Sequence, residues 1–368
     1  MRRIIGVIDG PGSAPRSVAK PAQSGVSAPA ATPPTPPSVE RVRIDEGAEG
    51  QRLDNFLLGH WKGVPKTHVY RVIRSGEVRV IRGRAAADTR LALGDELRLP
   101  PVRRAAPAAP GARAATPPRE FPIVWEDDAL IAIDKPAGVA VHGGSGVAFG
   151  VIEQLRRARP QARFLELVHR LDRETSGLLL VAKKRSALVA LQDQFRRRET
   201  GKTYAVLVFG AWPSSRKVID LALHKSLDAD GERHVRVVDA GHADGRRSIS
   251  LVQVVRNWPA HALLDVTIKT GRTHQIRVHL AHEGHPIVGD PKYGDFALNR
   301  ALARGAAIAG QRFGRMFLHA RRLRFTHPAS GEVIELDAPL PAEFEALMAA
   351  FDAATPPGAA ALDAAMPH

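Results

Sequence analysis

The chain of 368 residues has no cysteine. Disulfides, thiolate metal sites and cysteine nucleophiles are therefore excluded, including enzymes that attack uracil C6 through a thiolate. Tyrosine is scarce, with three in the chain, and aromatic residues make up only 5%. No apolar run approaches the ~18–20 residues a membrane-spanning helix needs. The run Ile4–Ile8 in MRRIIGVIDG is shorter than the ~7–15 residues of a secretory core segment. Arginines and few acids in the first forty residues resemble a transit peptide, but the Pro, Ala and Ser there fit a disordered tail better. Acid is also in short supply: 38 Asp and Glu face 53 Lys and Arg, a net charge of +15. That excess either is generic surface charge or points to a polyanionic partner, whose counterions it would release. Arginine outnumbers lysine 42 to 11, which favours planar contacts to phosphates and bases, although a GC-rich genome leaves the same bias.

What is present falls into blocks. Residues 1–40 contain APAATPPTPPS and read as a disordered tail, as does 352–368 at the other end. Residues 41–101 read as a compact α/β unit. It opens with a strand at 42–44, then a helix in QRLDNFLLGHW where Leu53, Phe56 and Leu57 recur at helical spacing. A second helix is expected in PKTHVYRVIRSG, with Val69, Val72 and Ile73 inward and Gly76 as its C-cap. A strand at 77–83 and a turn with a closing strand at 94–100 complete it. Residues 102–120, rich in Ala, Pro and Arg, read as a linker. From 121 to 351 strands are expected at 122–125, 129–133, 178–183, 203–209, 249–255, 261–269 and 332–337, and helices at 148–158, 185–197, 274–283 and 341–351. Several strands follow one another directly. The expected class is therefore α+β with a mixed, largely antiparallel sheet, not a Rossmann-type parallel one.

Four stretches carry chemistry. In HRLDRETSGLLL (169–180) Asp172 lies between Arg170 and Arg173. Positive neighbours favour the ionised carboxylate, which can act as nucleophile or base; a surface ion pair or a helix cap would use the same pattern. In TGRTHQIRVHLAHEGHP (270–286) a cap at Thr270 or Thr273 would place Arg277 one turn after Thr273, on the same face. His274, His279, His282 and His285 invite a metal reading, but their spacing matches no HExxH or cysteine-supported pattern. They are expected to cap, pack or touch RNA. GKTYAVLVFG (201–210) sets Tyr204 at the start of an apolar strand, where a tyrosine is ordinarily core. IDKPAGVAVHGGSG (133–146) is a strand, a Pro-Gly turn and a glycine-rich loop without the GK[ST] of a P-loop.

These stretches, with VGDPKYG and FLHARRLRFTHP, occur in one order across 121–340. Together they resemble the RluA-type pseudouridine synthases, and the stretch GGSGVAFGVIEQLRRARPQARFLELVHRLDRETSG is most similar to the branch that modifies several uridines of 23S rRNA. The 41–101 unit resembles the S4 RNA-binding domain that such enzymes carry. It departs from that pattern at Ile81-Arg82-Gly83, where an Asn-Gly-like turn is often found. The resemblance implies a pseudouridine synthase catalytic domain preceded by a small S4-like domain. It implies Asp172 as the catalytic carboxylate, Tyr204 as the active-site tyrosine and Arg277 as the basic partner of the aspartate. Arg170 would fill the gap left by a flipped uridine, and Leu318 would line the uracil pocket. Arg272, His274, Lys66, Arg71 and Arg74 are further expected contacts to RNA.

Pseudouridine formation turns the base and rejoins it through C5, so nothing is added or lost. The implied reaction needs no metal, no redox cofactor and no nucleotide. Attack on ribose, attack on the base and assisted elimination to a glycal all use such a carboxylate, and the sequence does not separate them. Between 41 and 104 there are 14 basic against 8 acidic residues, suited to phosphate contacts. The expected partner is 23S rRNA, as a ribosomal precursor, bound by a cytoplasmic monomer with no membrane association. Other rRNA or tRNA sites remain open alternatives. So does a non-catalytic RNA-binding or ribosome-assembly protein, which would not explain Asp172, Tyr204 and Arg277 arriving together. A metal-dependent hydrolase is the remaining rival.

Overall fold

The computed structural model describes residues 39–45, 47–61, 64–80, 83–102, 116–144, 147–227, 233–304, 307–308 and 310–355. Residues 1–38 of the expected N-terminal tail, most of the linker, Ile81 with Arg82, and residues 356–368 lie outside the described residues, while Glu40, expected in that tail, already belongs to the first strand. Among the described residues no helix is long and apolar enough to cross a membrane.

The first unit runs β1 (Glu40–Arg43), α1 (Leu53–His60), α2 (Lys66–Arg74), β2 (Arg79–Val80), β3 (Gly83–Arg84) and β4 (Glu96–Leu99). Its sheet has the order β1-β4-β2-β3. Leu53 and Leu57 of α1 and Val69, Val72 and Ile73 of α2 bury into one cluster with Ile44, Trp61, Leu97 and Leu99. Phe56 is only partly buried. Helix α2 stops where the sequence predicts: Gly76 adopts φ +74°. Its N–H reaches the Ile73 carbonyl and that of Glu77 the Val72 carbonyl, each at 3.1 Å. That pairing satisfies two carbonyls the helix end would leave open. Lys66, Arg71 and Arg74 point outward.

The rest forms a mixed sheet of eleven strands. In chain order it comprises β5 (Ile123–Glu126), β6 (Leu130–Lys135), α3 (Val151–Ala158), β7 (Glu166–Leu167), β8 (Ser176–Ala182), α4 (Arg185–Arg197), β9 (Gly201–Phe209), β10 (Val218–Leu227), β11 (Arg233–Val238), β12 (Arg246–Trp258) and β13 (His261–Ile268). Then come α5 (Gln275–His282), α6 (Phe296–Ala303), a small hairpin of β14 (Ala307–Ile308) with β15 (Gln311–Arg312), β16 (Leu318–Thr326), β17 (Val333–Asp337) and α7 (Ala342–Ala354). The strand order is β11-β10-β12-β13-β9-β16-β8-β6-β5, with β17 on β16 and β7 on β8. All pairs are antiparallel except β16 with β8, so the expected α+β class with a largely antiparallel sheet is what forms.

Strands β10, β11 and β16 are not among the sequence expectations, and charge is the reason. LHARRLRFT carries three arginines in nine residues, which hides its apolar face. In the sheet two of those arginines meet acids from other strands: Arg322 pairs with Asp337 of β17 at 2.9 Å, and Arg321 approaches Asp265 of β13 at 3.8 Å. Helix α7 also runs three residues into the expected tail. Asp352 holds it there, accepting from Trp258 Nε1 at 2.8 Å and pairing with Arg256 at 2.7 Å.

The parallel junction is tight. Ala320 of β16 lies beside Gly177 of β8 on one side and Tyr204 of β9 on the other. A Cβ on Gly177 would stand 2.3 Å from the Ala320 carbonyl oxygen, and φ there is +107°. Only glycine meets both demands. This explains the Thr-Ser-Gly step at the mouth of β8. Gly177→Ala should lower the unfolding free energy by about 3 kcal/mol or more, measured by equilibrium urea denaturation.

Candidate active site

Asp172 occupies the turn that feeds β8, and that turn is fastened on both sides. Before it, His169 Nε2 accepts the Leu180 N–H at 3.1 Å and its ring stacks on Phe195. Burial, with the Lys202 charge nearby, pushes the His169 imidazole down to about 3, so it is a neutral acceptor. After Asp172, the carbonyl of Arg173 accepts from Lys135 Nζ at 3.1 Å. The fully buried Lys135 also donates to the carbonyls of Pro136 and Val139, at 2.9 and 2.8 Å. The DKPAG turn is thus clamped to the aspartate loop. Beyond it, the N–H groups of Gly143 and Gly150 both go to Glu153 of α3.

The flanking arginines are not the partners of Asp172. Arg173 donates Nε to the Gly138 carbonyl at 3.0 Å and lies 3.5 Å from Glu174, while Arg170 is exposed at the pocket rim. The nearest guanidinium comes from α5, 105 residues away: Arg277 Nη1 stands 3.5 Å from Asp172 Oδ2. Arg277 itself is 6% exposed and is gripped by Asp290, which is fully buried. Nε and Nη2 each meet an Asp290 oxygen at 2.7 Å, a bidentate fork. Burial alone would raise the Asp290 carboxyl; Arg277 and the amides of Tyr293 and Lys292 outweigh it and hold it below the usual range. The Arg277 guanidinium also lies over the Tyr293 ring at 5.1 Å. Asp290 and Tyr293 carry no assignment from the sequence, although both stand in the motif VGDPKYG.

Neither Thr270 nor Thr273 caps α5. The residue before the helix is His274, at φ 52°, and no side chain caps it in the expected way. Instead Gln275 folds back: its Oε1 accepts the Thr270 hydroxyl at 2.7 Å and the Arg272 N–H at 3.2 Å. The four histidines of this stretch diverge. His279 Nδ1 meets Ser250, and His285 Nδ1 meets the Phe209 carbonyl. His274 has Nδ1 2.9 Å from the Tyr293 hydroxyl and Nε2 3.7 Å from Asp172 Oδ2.

Asp172, Tyr204, Arg277, Arg170, Leu318, Arg272 and His274 all line one pocket of about 260 Å³. Among the described residues, Asp172 is the one carboxylate on its wall. Leu318 comes from β16, the strand parallel to β8, and Tyr204 from β9, the strand on the far side of β16. Burial first, and the Asp172 charge second, push the Tyr204 phenol well above its ordinary range. It therefore stays protonated. Lys66, Arg71 and Arg74 are not in this pocket; they stand on α2 of the first unit.

The profile of the RNA pseudouridylate synthase family matches residues 129–282. Ribosomal large subunit pseudouridine synthase C of Escherichia coli (strain K12) is 47% identical over 308 residues, covering 83% of this chain and 94% of that protein. The protein of the same name from Haemophilus influenzae is 46% identical over 315 residues, covering 84% and 94%. Among solved structures, human RNA pseudouridylate synthase domain containing 4 is similar with a TM-score of 0.52 at 27% identity, over 63% of this chain and 93% of that one. A carboxylate pocket built on the HRLD turn and the HQIRVH helix, and shared identity across most of the chain, lead to one conclusion: this chain belongs to the RluA-type RNA pseudouridine synthases.

Proposed function

We propose that this protein converts uridine to pseudouridine in the 23S rRNA of the large ribosomal subunit, with Asp172 as the catalytic carboxylate. The observation that carries the reading is the pocket itself. A single acid on its wall faces a buried arginine, with a protonated phenol and an aliphatic side chain from the adjoining strands beside it. The name of the Escherichia coli relative supports the choice of large-subunit RNA. The working form is a cytoplasmic monomer acting on ribosomal precursor RNA.

The isomerisation breaks the bond from ribose C1′ to N1 and forms one from C1′ to C5. C5 gives up its proton and N1 takes one up, so atoms and electrons balance without a cofactor. The uridine leaves its stack at a cost of a few kcal/mol. Arg170, exposed at the rim, fills the vacated space with its guanidinium plane. Inside, the uracil lies against Tyr204 and Leu318. The raised phenol makes Tyr204 a stacking platform and not a base at neutral pH. Asp172 stabilises the electron-poor ribose carbon that appears as the glycosidic bond opens. Arg277 aims that carboxylate, and Arg272 meets RNA at the rim. The outward face of α2, with Lys66, Arg71 and Arg74, acts as an S4-like surface for phosphates.

Asp172→Asn should abolish tritium release from a 23S rRNA transcript labelled with [5-³H]uridine, while its affinity for that transcript stays within about twofold of wild type. Release at a near-normal rate would remove Asp172 from the mechanism. Replacing Lys66, Arg71 and Arg74 together by alanine should weaken RNA binding and flatten its salt dependence. The slope of log K against log salt should fall by about 0.7–0.9 for each phosphate that the variant leaves unneutralised. An unchanged slope, measured by filter binding from low to high salt, would exclude this face from the RNA interface.

A further inference from the structure

His274 holds a conformation with positive φ, 52°, that residues with a Cβ adopt only under constraint. Its surroundings show what the constraint achieves. Tyr293 Oη lies 3.2 Å from the backbone N of Val235 and 2.9 Å from His274 Nδ1. A backbone amide can only donate, so the Val235 N–H takes up a lone pair of the phenol oxygen. The single phenol proton is then directed to Nδ1. With Nδ1 accepting that proton, the ring hydrogen sits on Nε2, 3.7 Å from Asp172 Oδ2. The opposite tautomer would turn the Nε2 lone pair toward a carboxylate.

We infer that His274 is a positioning residue for Asp172, the last link of a chain of donors that runs from the Val235 amide through the Tyr293 hydroxyl to the imidazole. The assignment rests on the reading of Asp172 as the catalytic carboxylate. Nδ1 is engaged by Tyr293, and Nε2 faces Asp172, so the ring is placed to orient the acid. At 3.7 Å the Nε2–H makes an electrostatic contact; catalytic contacts of this length in a free enzyme tighten when substrate is bound.

Other observations fit this polarity. Burial raises the Tyr293 phenol, which keeps its proton. Burial first, and the Arg277 and Lys292 charges, hold the His274 imidazole below its ordinary range against the pull of Asp172 and Asp290, so the ring is neutral and needs its tautomer fixed. The source of the chain is also anchored, because Val235 of β11 packs with Leu223 of β10 and Val278 of α5, with Tyr293 against them. The segment Asp290–Tyr293 therefore sets both neighbours of the catalytic acid, Arg277 through one residue and His274 through the other.

The test measures tritium release from a [5-³H]uridine-labelled 23S rRNA transcript by wild type, Tyr293→Phe, His274→Gln and His274→Gly. Tyr293→Phe keeps the ring over Arg277 and removes only the hydroxyl. Its kcat should fall about tenfold with KM unchanged, the effect of losing one hydrogen bond that orients a charged group. His274→Gly relieves the backbone strain and should fall at least as far. His274→Gln can return an N–H near the Nε2 position and should recover most of the wild-type kcat. A wild-type kcat in Tyr293→Phe, a loss confined to KM, or a glutamine no better than glycine would overturn the inference. Absence of release by the wild-type protein would instead overturn the function on which it rests.

Discussion

The Arg277–Asp290 fork is the constraint on which the site depends. A guanidinium has five N–H groups in one plane. Asp290 takes two of them from within the protein, and the plane is then fixed so that Nη1 faces Asp172. Two buried charges are costly to strip of water, and the pair is tolerable because its geometry is bidentate and the amides of Lys292 and Tyr293 satisfy a further Asp290 lone pair. Removing one partner of such a pair typically costs about 3–5 kcal/mol. Asp172 is thus the exposed end of a three-member charge row, not one half of a simple ion pair. It keeps 24% of its side-chain surface open, enough to meet a nucleoside.

The loop that carries Asp172 is held with equal economy. Lys135 has three donors and finds three carbonyls, one of them next to Asp172 in the chain. His169 serves as a backbone acceptor on the other side. Motifs that look functional in isolation therefore divide into two kinds. The histidine of HRLD and the lysine of DKP build the mount, while the aspartate and the arginines face outward from it.

Much of this was legible in the sequence. The order of motifs placed Asp172, Tyr204, Arg277 and Leu318 in one site, and the pocket brings them together. The helices α1, α2 and α4 and the apolar strands β6, β8, β9 and β13 announced themselves through periodicity. What stayed hidden depended on long-range partners. Arg170 and Arg173 suggested local neutralisation of Asp172, because a sequence shows neighbours and not directions; the structure turns both away and supplies Arg277. Strand β16 was masked by arginines whose acids lie on β13 and β17. Asp290 and Tyr293 looked like turn residues in GDPKYG, since nothing local shows that their side chains point under α5. Thr270 resembled a cap because a Gln275 side chain that folds back onto its own loop leaves no trace in residue spacing.

The parallel seam between β8 and β16 has a bearing on how the enzyme is made. Ser176 and His319 share a hydrogen bond across 143 residues of chain, and Leu318 of the same late strand walls the Asp172 pocket. Pairing this remote is slow to close and must await synthesis of its second half. Asp172 is translated 146 residues before Leu318, and its pocket has no wall at Leu318 until β16 has followed. The pocket is therefore assembled only after β16 has emerged and closed the seam with β8.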